Sequence, residues 1–393
     1  MTDLAGLLVL SLEQAVAAPY ASCRLADAGA RVIKVERTEG DFARGYDNLV
    51  NGESSYFLWL NRGKQSLCLD LKSQDDLALL DAIAAKADVF IQNLSPGAAE
   101  RLGLGAAAMT KRYPKLIYCS ISGYGQNGPL RRQKAYDMLI QAESGLAHVN
   151  GTPDEAARVG ISICDIAAGI TAYSAILEAI LGRGQTGEGR SIEVSLFHSI
   201  ADWMNVPYLQ TRYGNRPPTR MGLRHPSIAP YGAYRCGDAK ALLLAVQNER
   251  EWVKLCSDVL DDVALANDHR FSSNISRVKN ASALDAIIAA RFAALTRDQA
   301  IAILDGAGIA YGRLSDMDDL VNHPQRRLIK VATAAGEIEM LAPGVMAGAD
   351  SFGAVPSLGE HNDWIRREFG PRRPRTGMSA ASQDPPLSKH QGR

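Results

Sequence analysis

Over its first 200 residues the chain alternates short apolar runs with helical stretches, and this limits its fold more than any other feature. GLLVLSL (6–12) reads as a buried strand, the stretch after Pro19 as a helix closing at Gly29, and RVIKVER (31–37) as the next strand. QSLCLDL (65–71), DVFIQNL (88–94), LIYCSIS (116–122) and SIEVSLF (191–197) repeat the strand pattern. SQDDLALLDAIAAKA (73–87) opens on a serine cap and an acidic first turn, then keeps helical periodicity. Strands separated by helices need crossover connections, so the expected class is α/β, a mostly parallel sheet with helices on both faces.

The pattern breaks at NVPYLQTRYGNRPPTRMGLRHPS (205–227), where Pro217 and Pro218 forbid a helix. This segment reads as a linker out of a first unit, 1–204. Residues 228–325 hold one clear strand, ALLLAVQ (241–247), and helices near 249–260, 282–295 and 297–306, which suits a smaller domain. Residues 326–370 include LIKVATAAGEIEML (328–341), a return to strand-like alternation, and are expected to rejoin the first unit. The tail, 371–393, has four prolines and almost no large apolar residue, the composition of a disordered segment.

Several function classes fall away on composition. Lys plus Arg and Asp plus Glu are 43 each, so the chain lacks the excess positive charge that nucleic acids or anionic membranes attract. Cys23, Cys68, Cys119, Cys164, Cys236 and Cys256 show no C-x-x-C spacing and read as reduced thiols. The seven histidines form no metal-ligand cluster. MTDLAGLLVL lacks a basic leader region and no apolar run reaches about 18 residues, so a cytoplasmic protein is expected.

GRGQTG (182–187) matches a dinucleotide fingerprint, but it follows a helical run and precedes a strand. Phosphate binding needs the reverse order, so the motif reads as a helix cap and turn, and a nicotinamide dehydrogenase is disfavoured. GLGAAA (103–108) has no strand feeding it. Three other segments follow predicted strands, where doubly wound folds bind ligands. VERTEGDFAR (35–44) supplies Arg37 and Arg44, QNLSPGAAERLG (92–103) supplies Arg101, and SGYGQNGPLRRQKAYD (122–137) supplies Arg131, Arg132 and Lys134. A basic, glycine-rich rim suits a phosphate-bearing ligand, and equally a solvated loop. In ARVGISICDIAAGITAYSAILEAILGRG (157–184) an apolar run ends at Asp165, where a helix of small residues begins. Asp165 is then either a plain N-cap or a carboxylate nucleophile kept ionised by the helix dipole, and spacing does not separate the two.

Taken together, VIKVER with GDFARG, LNRGKQSLCLDL, ADVFIQNLSPGAAERLGL, SGYGQNGP, YDMLIQAESGL, SICDIAAG and GRGQTGEGRSIEVSL resemble, in this order, the family III CoA-transferases. The resemblance spans about residues 6–370. It implies an open Rossmann-like large domain built from both chain ends, a smaller α+β domain, and a ring-like interlocked homodimer. It makes Asp165 the nucleophile and carries CoA contacts onto Val16, Arg37, Leu69, Asn93, Leu94, Arg101, Lys134 and Tyr136. CoA thioester is implied as substrate, with no tightly bound cofactor and no metal. The nearest rival within the resemblance is an α-methylacyl-CoA racemase, whose histidine precedes the aspartate of the segment reading KAYD here. Tyr136 occupies that place, and a tyrosine is a poor base near neutrality. A non-catalytic CoA-binding protein would keep the basic rim without needing an ionised Asp165. The glycine-run loop of formyl-CoA transferases is missing, and RMGLRHPSIAPYGAY (220–234) takes its place. SICDIAAG, RHPSIAPYG and QNEREW look most similar to the branch using succinyl-CoA and C4–C5 dicarboxylates such as mesaconate, citramalate or itaconate. Arg224, His225 and Arg250 are then candidates near the acyl group, with the arginines also able to pair with Glu249 or Glu251.

Overall fold

The computed structural model describes residues 3–215, 217–345 and 352–370. The tail beyond 370 lies outside them. Strands β1 (Leu8–Leu12), β2 (Arg31–Glu36), β3 (Lys64–Cys68), β4 (Val89–Gln92), β5 (Ile117–Ser122) and β6 (Ser191–Ser195) form one parallel sheet in the order β3-β2-β1-β4-β5-β6. Each predicted strand up to residue 197 is present, most of them shortened, with β3 starting one residue early at Lys64. β6 stops early because the Ser195 hydroxyl accepts the His198 amide and starts a helix. The connections hold helices α1 (Ala17–Asp27), α2 (Ser55–Asn61), α3 (Gln74–Ala84), α4 (Ala98–Arg101), α5 (Ala106–Arg112), α6 (Asp137–Glu143), α7 (Leu146–Val149) and α8 (Ile163–Thr186). After β6 come α9 (Leu196–Trp203) and α10 (Asn205–Arg212).

Both faces of the sheet are buried, which is why its strands read as nearly unbroken apolar runs. Val9 and Val32 face a core built with α1 and α8, whereas Leu8, Leu10 and Ile33 face one built with α3. α1 starts two residues before Pro19, since a proline in the first turn loses no intrahelical hydrogen bond. GRGQTG forms the last turns of α8, and Gly187, at φ 75°, is the left-handed cap.

Residues 205–212 correct the reading of 205–227 as an uninterrupted linker. They form α10, in which Pro207 sits in the first turn, and the helix ends well before Pro217. Beyond it β7 (Tyr231–Arg235), β8 (Ala241–Ala245) and β9 (Ala310–Arg313) make an antiparallel sheet. Only β8 was visible in the sequence, because YGAYR and AYGR are short and glycine-interrupted. The sheet packs with α11 (Glu249–Lys254), α12 (Asn274–Lys279), α13 (Ala281–Ala293) and α14 (Arg297–Ala307), mainly around Trp252, Phe271 and Phe292. After α15 (Met317–Val321), β10 (Leu328–Thr333) and β11 (Gly336–Leu341) pair as a separate hairpin rather than extending the parallel sheet. Val331 of the hairpin packs on Phe57 and Leu58 of α2. α16 (Asn362–Phe369) buries Ile365 and Phe369 in the core beside α3. All six cysteines are free thiols.

Glu13, just after β1, Lys34 inside β2 and Lys64, the first residue of β3, meet in a buried charge network. Lys64 Nζ donates to Glu13 at 2.6 Å, Lys34 Nζ lies 2.8 Å from Asp41 and 3.5 Å from Glu13, and none of these side chains in the ion pairs is exposed. Burial alone would raise the Glu13 pKa, but the two lysine charges overturn that and hold it at about 2. Ser11 and Ser22 also donate to Glu13. Removing one partner of such a network leaves an uncompensated buried charge. Glu13→Gln is therefore expected to cost about 3 kcal/mol of stability, read from urea unfolding at neutral pH.

Candidate active site

The sheet order reverses between β1 and β4, and the loops leaving these two strands diverge to form a cleft. The β1 loop is tightly held. Asn93 accepts the Gln14 amide at 3.0 Å and donates to the Gln14 carbonyl at 2.8 Å, while Asp41 accepts the Ala15 amide at 3.1 Å. Ala15 sits at φ 63°, a left-handed conformation these two clamps maintain. α8 then approaches the same loop closely. A Cβ on Gly169 would lie 2.8 Å from the Ala17 carbonyl oxygen and 2.9 Å from Tyr20 Cβ, so only glycine lets α1 and α8 meet here.

Asp165 is the third residue of α8, not its N-cap; the helix begins at Ile163, two residues earlier than the sequence suggests. The capping is supplied from α6. Asp137 accepts the amides of Cys164 at 2.7 Å and Asp165 at 3.3 Å, and its other oxygen accepts from Gln141 at 2.7 Å. The Asp165 carboxyl is thereby spared the capping task, and no described donor reaches it. Burial, then the neighbouring Asp137 charge, push its pKa up to about 7. Its place in the first turn of the helix does not bring the group below the ordinary carboxylate range.

The cleft around Asp165 measures about 610 Å³. Phe42, Tyr46 and Tyr56 form an aromatic wall, with ring centroids 5.7 Å and 5.4 Å apart. Burial, then Asp41 and Asp165, raise the Tyr46 pKa to about 12, so its hydroxyl stays protonated. A smaller cleft of about 240 Å³ adjoins the first, sharing Gln14, Leu94 and Ser95. The loop 123–136 on the rim is anchored where Gly123 accepts the Phe197 amide and Glu193 accepts the Gln126 amide.

Val16, Asn93, Leu94, Lys134 and Tyr136 line the larger cleft with Asp165, and Arg37, Leu69 and Leu94 line the smaller one. Arg101 lines neither; it is exposed at the end of α4, with its guanidinium near Gly97. Arg44 is not a free rim cation, since it pairs with Glu36 at 2.8 Å and stacks on Phe57. Arg224, His225 and Arg250 are not brought to the cleft within this chain. Arg224 binds Asp285 at 2.7 Å, the His225 ring stacks on Tyr231, and Arg250 is exposed on α11. The alternative pairing of Arg224 or Arg250 with Glu249 is not seen either, since Glu249 is taken by Arg277 at 2.8 Å. Sequence reasoning missed the cleft residues Gln14, Tyr46 and Arg158, which carry no spacing signal, and the capping role of Asp137, which is set across 27 residues of chain.

Fold and site together define a class already represented among solved structures. A CAIB/BAIF family protein from Brucella suis is 32% identical, covers 94% of this chain and 99% of its own, and superposes with a TM-score of 0.81. The model of CoA-transferase family III matches residues 4–362, so the chain belongs to CoA-transferase family III and is an enzyme of the CoA-transferase type. Succinyl-CoA:glutarate CoA-transferase of Mus musculus is 34% identical over 94% of this chain and 86% of the relative. Acetyl-CoA:oxalate CoA-transferase of Acetobacter aceti is 34% identical over 93% of this chain and 95% of the relative.

The raised pKa of Asp165 carries a stability cost whose sign is fixed. In the unfolded chain the carboxyl ionises near its ordinary value of 3.8, and in the folded protein near 7. Between these values the folded state holds a proton that the unfolded state has lost, so stability falls as pH rises, and the full cost remains above pH 7. Asp165→Asn removes it. The melting temperature of that variant is expected to exceed wild type by a margin that widens from pH 4.5 to pH 8, reaching a few degrees.

Proposed function

We propose that the protein transfers CoA from an acyl-CoA, with succinyl-CoA the leading donor, to a C4–C5 dicarboxylate through an aspartyl-CoA thioester on Asp165. The observation that carries this reading is the Asp165 carboxyl, which lines the cleft with no described hydrogen-bond donor and whose pKa burial pushes up to about 7. Asp165 in its ionised form attacks the thioester carbonyl, the C–S bond breaks, and CoA thiolate leaves with the electron pair, giving a mixed anhydride. The thiolate attacks the aspartyl carbonyl, the anhydride C–O bond breaks, and the first acid leaves as its carboxylate. An incoming carboxylate repeats both steps in reverse and frees Asp165. No proton is transferred, so the site needs no separate acid or base. A carboxylate with a raised pKa is a better nucleophile than an ordinary aspartate, and one near 7 is still half available. The aromatic wall keeps water from the anhydride and thioester.

In this reading Arg37, Leu69 and Leu94 take the nucleotide end of CoA in the smaller cleft. Val16, Asn93, Lys134 and Tyr136 guide its thiol arm towards Asp165, and Arg101 remains at the outer rim. The named relatives act on glutarate and oxalate, both dicarboxylates, so oxalate belongs in the acceptor panel beside mesaconate, citramalate, itaconate and glutarate. Among the described residues no histidine lines the Asp165 cleft, which favours transfer over racemisation.

Incubating the enzyme with succinyl-CoA and no acceptor should give a CoA adduct on Asp165, seen by mass spectrometry of the peptide. Asp165→Asn should show neither adduct nor turnover while still binding CoA, and full turnover in that variant would refute the mechanism. For wild type, kcat/KM should rise with pH through about 7. Asp137→Asn keeps an acceptor for the Cys164 amide but removes the repelling charge, so its midpoint should fall below the wild-type value.

The homodimer belongs to the same proposal. α10 buries none of its residues and leaves Val206, Tyr208 and Leu209 exposed beside Trp203 of α9. An eight-residue helix without a packed face is not stable in water by itself, so these side chains fit a partner surface. Sedimentation should give twice the mass of the chain, and Val206→Glu with Leu209→Glu should lower it.

A further inference from the structure

Among the described residues, Arg158 is the one cation lining the Asp165 cleft for which the proposed function has no task. The side chains around Asp165 include two cations, Lys134 and Arg158, and two carboxyls, Asp137 and Asp165. Lys134 is committed to the CoA chain in the reading above. An acceptor with two carboxylates therefore brings a second negative charge into a cleft that already holds two aspartates, and Arg158 is the cation left to meet it.

Its surroundings suit that task. The guanidinium is exposed and no described carboxylate pairs with it; its only described partners are the Val159 and Gly160 carbonyls, accepting from Nε and Nη2 at 3.2 Å each. Two of its five N–H groups are used this way, so the planar head is held while three donors remain for a ligand. The segment that carries it is tied to the reacting group as well. Buried Gln141 accepts the Val159 amide at 2.8 Å and donates to Asp137, the residue that caps the helix of Asp165. Arg158 and Asp165 thus hang from one Asp137–Gln141 pair, and the span between a distal and a reacting carboxylate is set by a short hydrogen-bonded path.

We infer that Arg158 binds the distal carboxylate of the dicarboxylate substrate and so selects diacids over monoacids, an inference that rests on the transferase reading. A guanidinium–carboxylate pair is charge-assisted and forked, which a terminal methyl group in the same place does not satisfy.

The test compares glutarate with valerate, its analogue bearing a methyl group in place of one carboxylate, as acceptors from succinyl-CoA. In a two-step exchange, kcat/KM for the acceptor reports only its reaction with the CoA-loaded enzyme. The glutarate-to-valerate ratio of kcat/KM should fall about 10- to 100-fold in Arg158→Met and recover in part in Arg158→Lys. A damaged fold would lower both acceptors together and leave the ratio in place. An Arg158→Met enzyme that melts like wild type and keeps its ratio overturns this inference while leaving the transferase reading intact. A wild-type ratio near one overturns the diacid reading, and this inference with it.

Discussion

Lys34, inside β2, and Lys64, the first residue of β3, bring two positive charges into a space that water does not reach. Unpaired ions there would cost several kcal/mol each, so the positions of Glu13 and Asp41 follow from the need to meet them. Glu13 is the first residue after β1, and Asp41 precedes the turn that carries Phe42 and Tyr46. Satisfying the charges therefore fixes the strained β1 loop, the start of α1 and the aromatic wall together. Glu36 continues the same network through Arg44 and Ser66. The smaller cleft, lined by Glu13, Glu36 and Asp41, thus rests on an electrostatic construction rather than an apolar one.

A second constraint acts from the other side of the cleft. A helix start needs an acceptor for its free amides, and a carboxylate placed there usually serves that end. In α8 the acceptor comes from Asp137 instead. The division has two consequences for Asp165. Its oxygens are left without donors, and a second negative charge stands nearby, so burial and repulsion raise its pKa to about 7.

How much could be read from the chain differs by element. The six strands of the parallel sheet were visible because residues buried on both faces must be apolar, whatever their neighbours. β7 and β9 were not, since they are held by pairing with β8 and carry little apolar signal of their own. α10 was hidden because it has no buried face within the chain to impose a period. Asp165 could be located, but its choice between cap and nucleophile could not be made, because the residue that resolves it is Asp137. Arg101 and Arg224 looked like site residues by position after a strand or within a basic motif. One is exposed at the end of α4 and lines neither cleft, and the other is bound to Asp285.

The sequence by itself determined the α/β class, the order of the main elements and the residues of the chemical motifs, since periodicity and helix signals are local properties. The tertiary structure decided which of those residues share a cleft, that Asp137 rather than Asp165 caps α8, and that Arg158 lines the same cleft with no carboxylate partner among the described residues. The reason is that a side chain's charge state and free donors depend on burial and on neighbours distant in the chain. Residues 13, 41 and 64, and 137 and 165, come together only once the sheet has closed the distances between them.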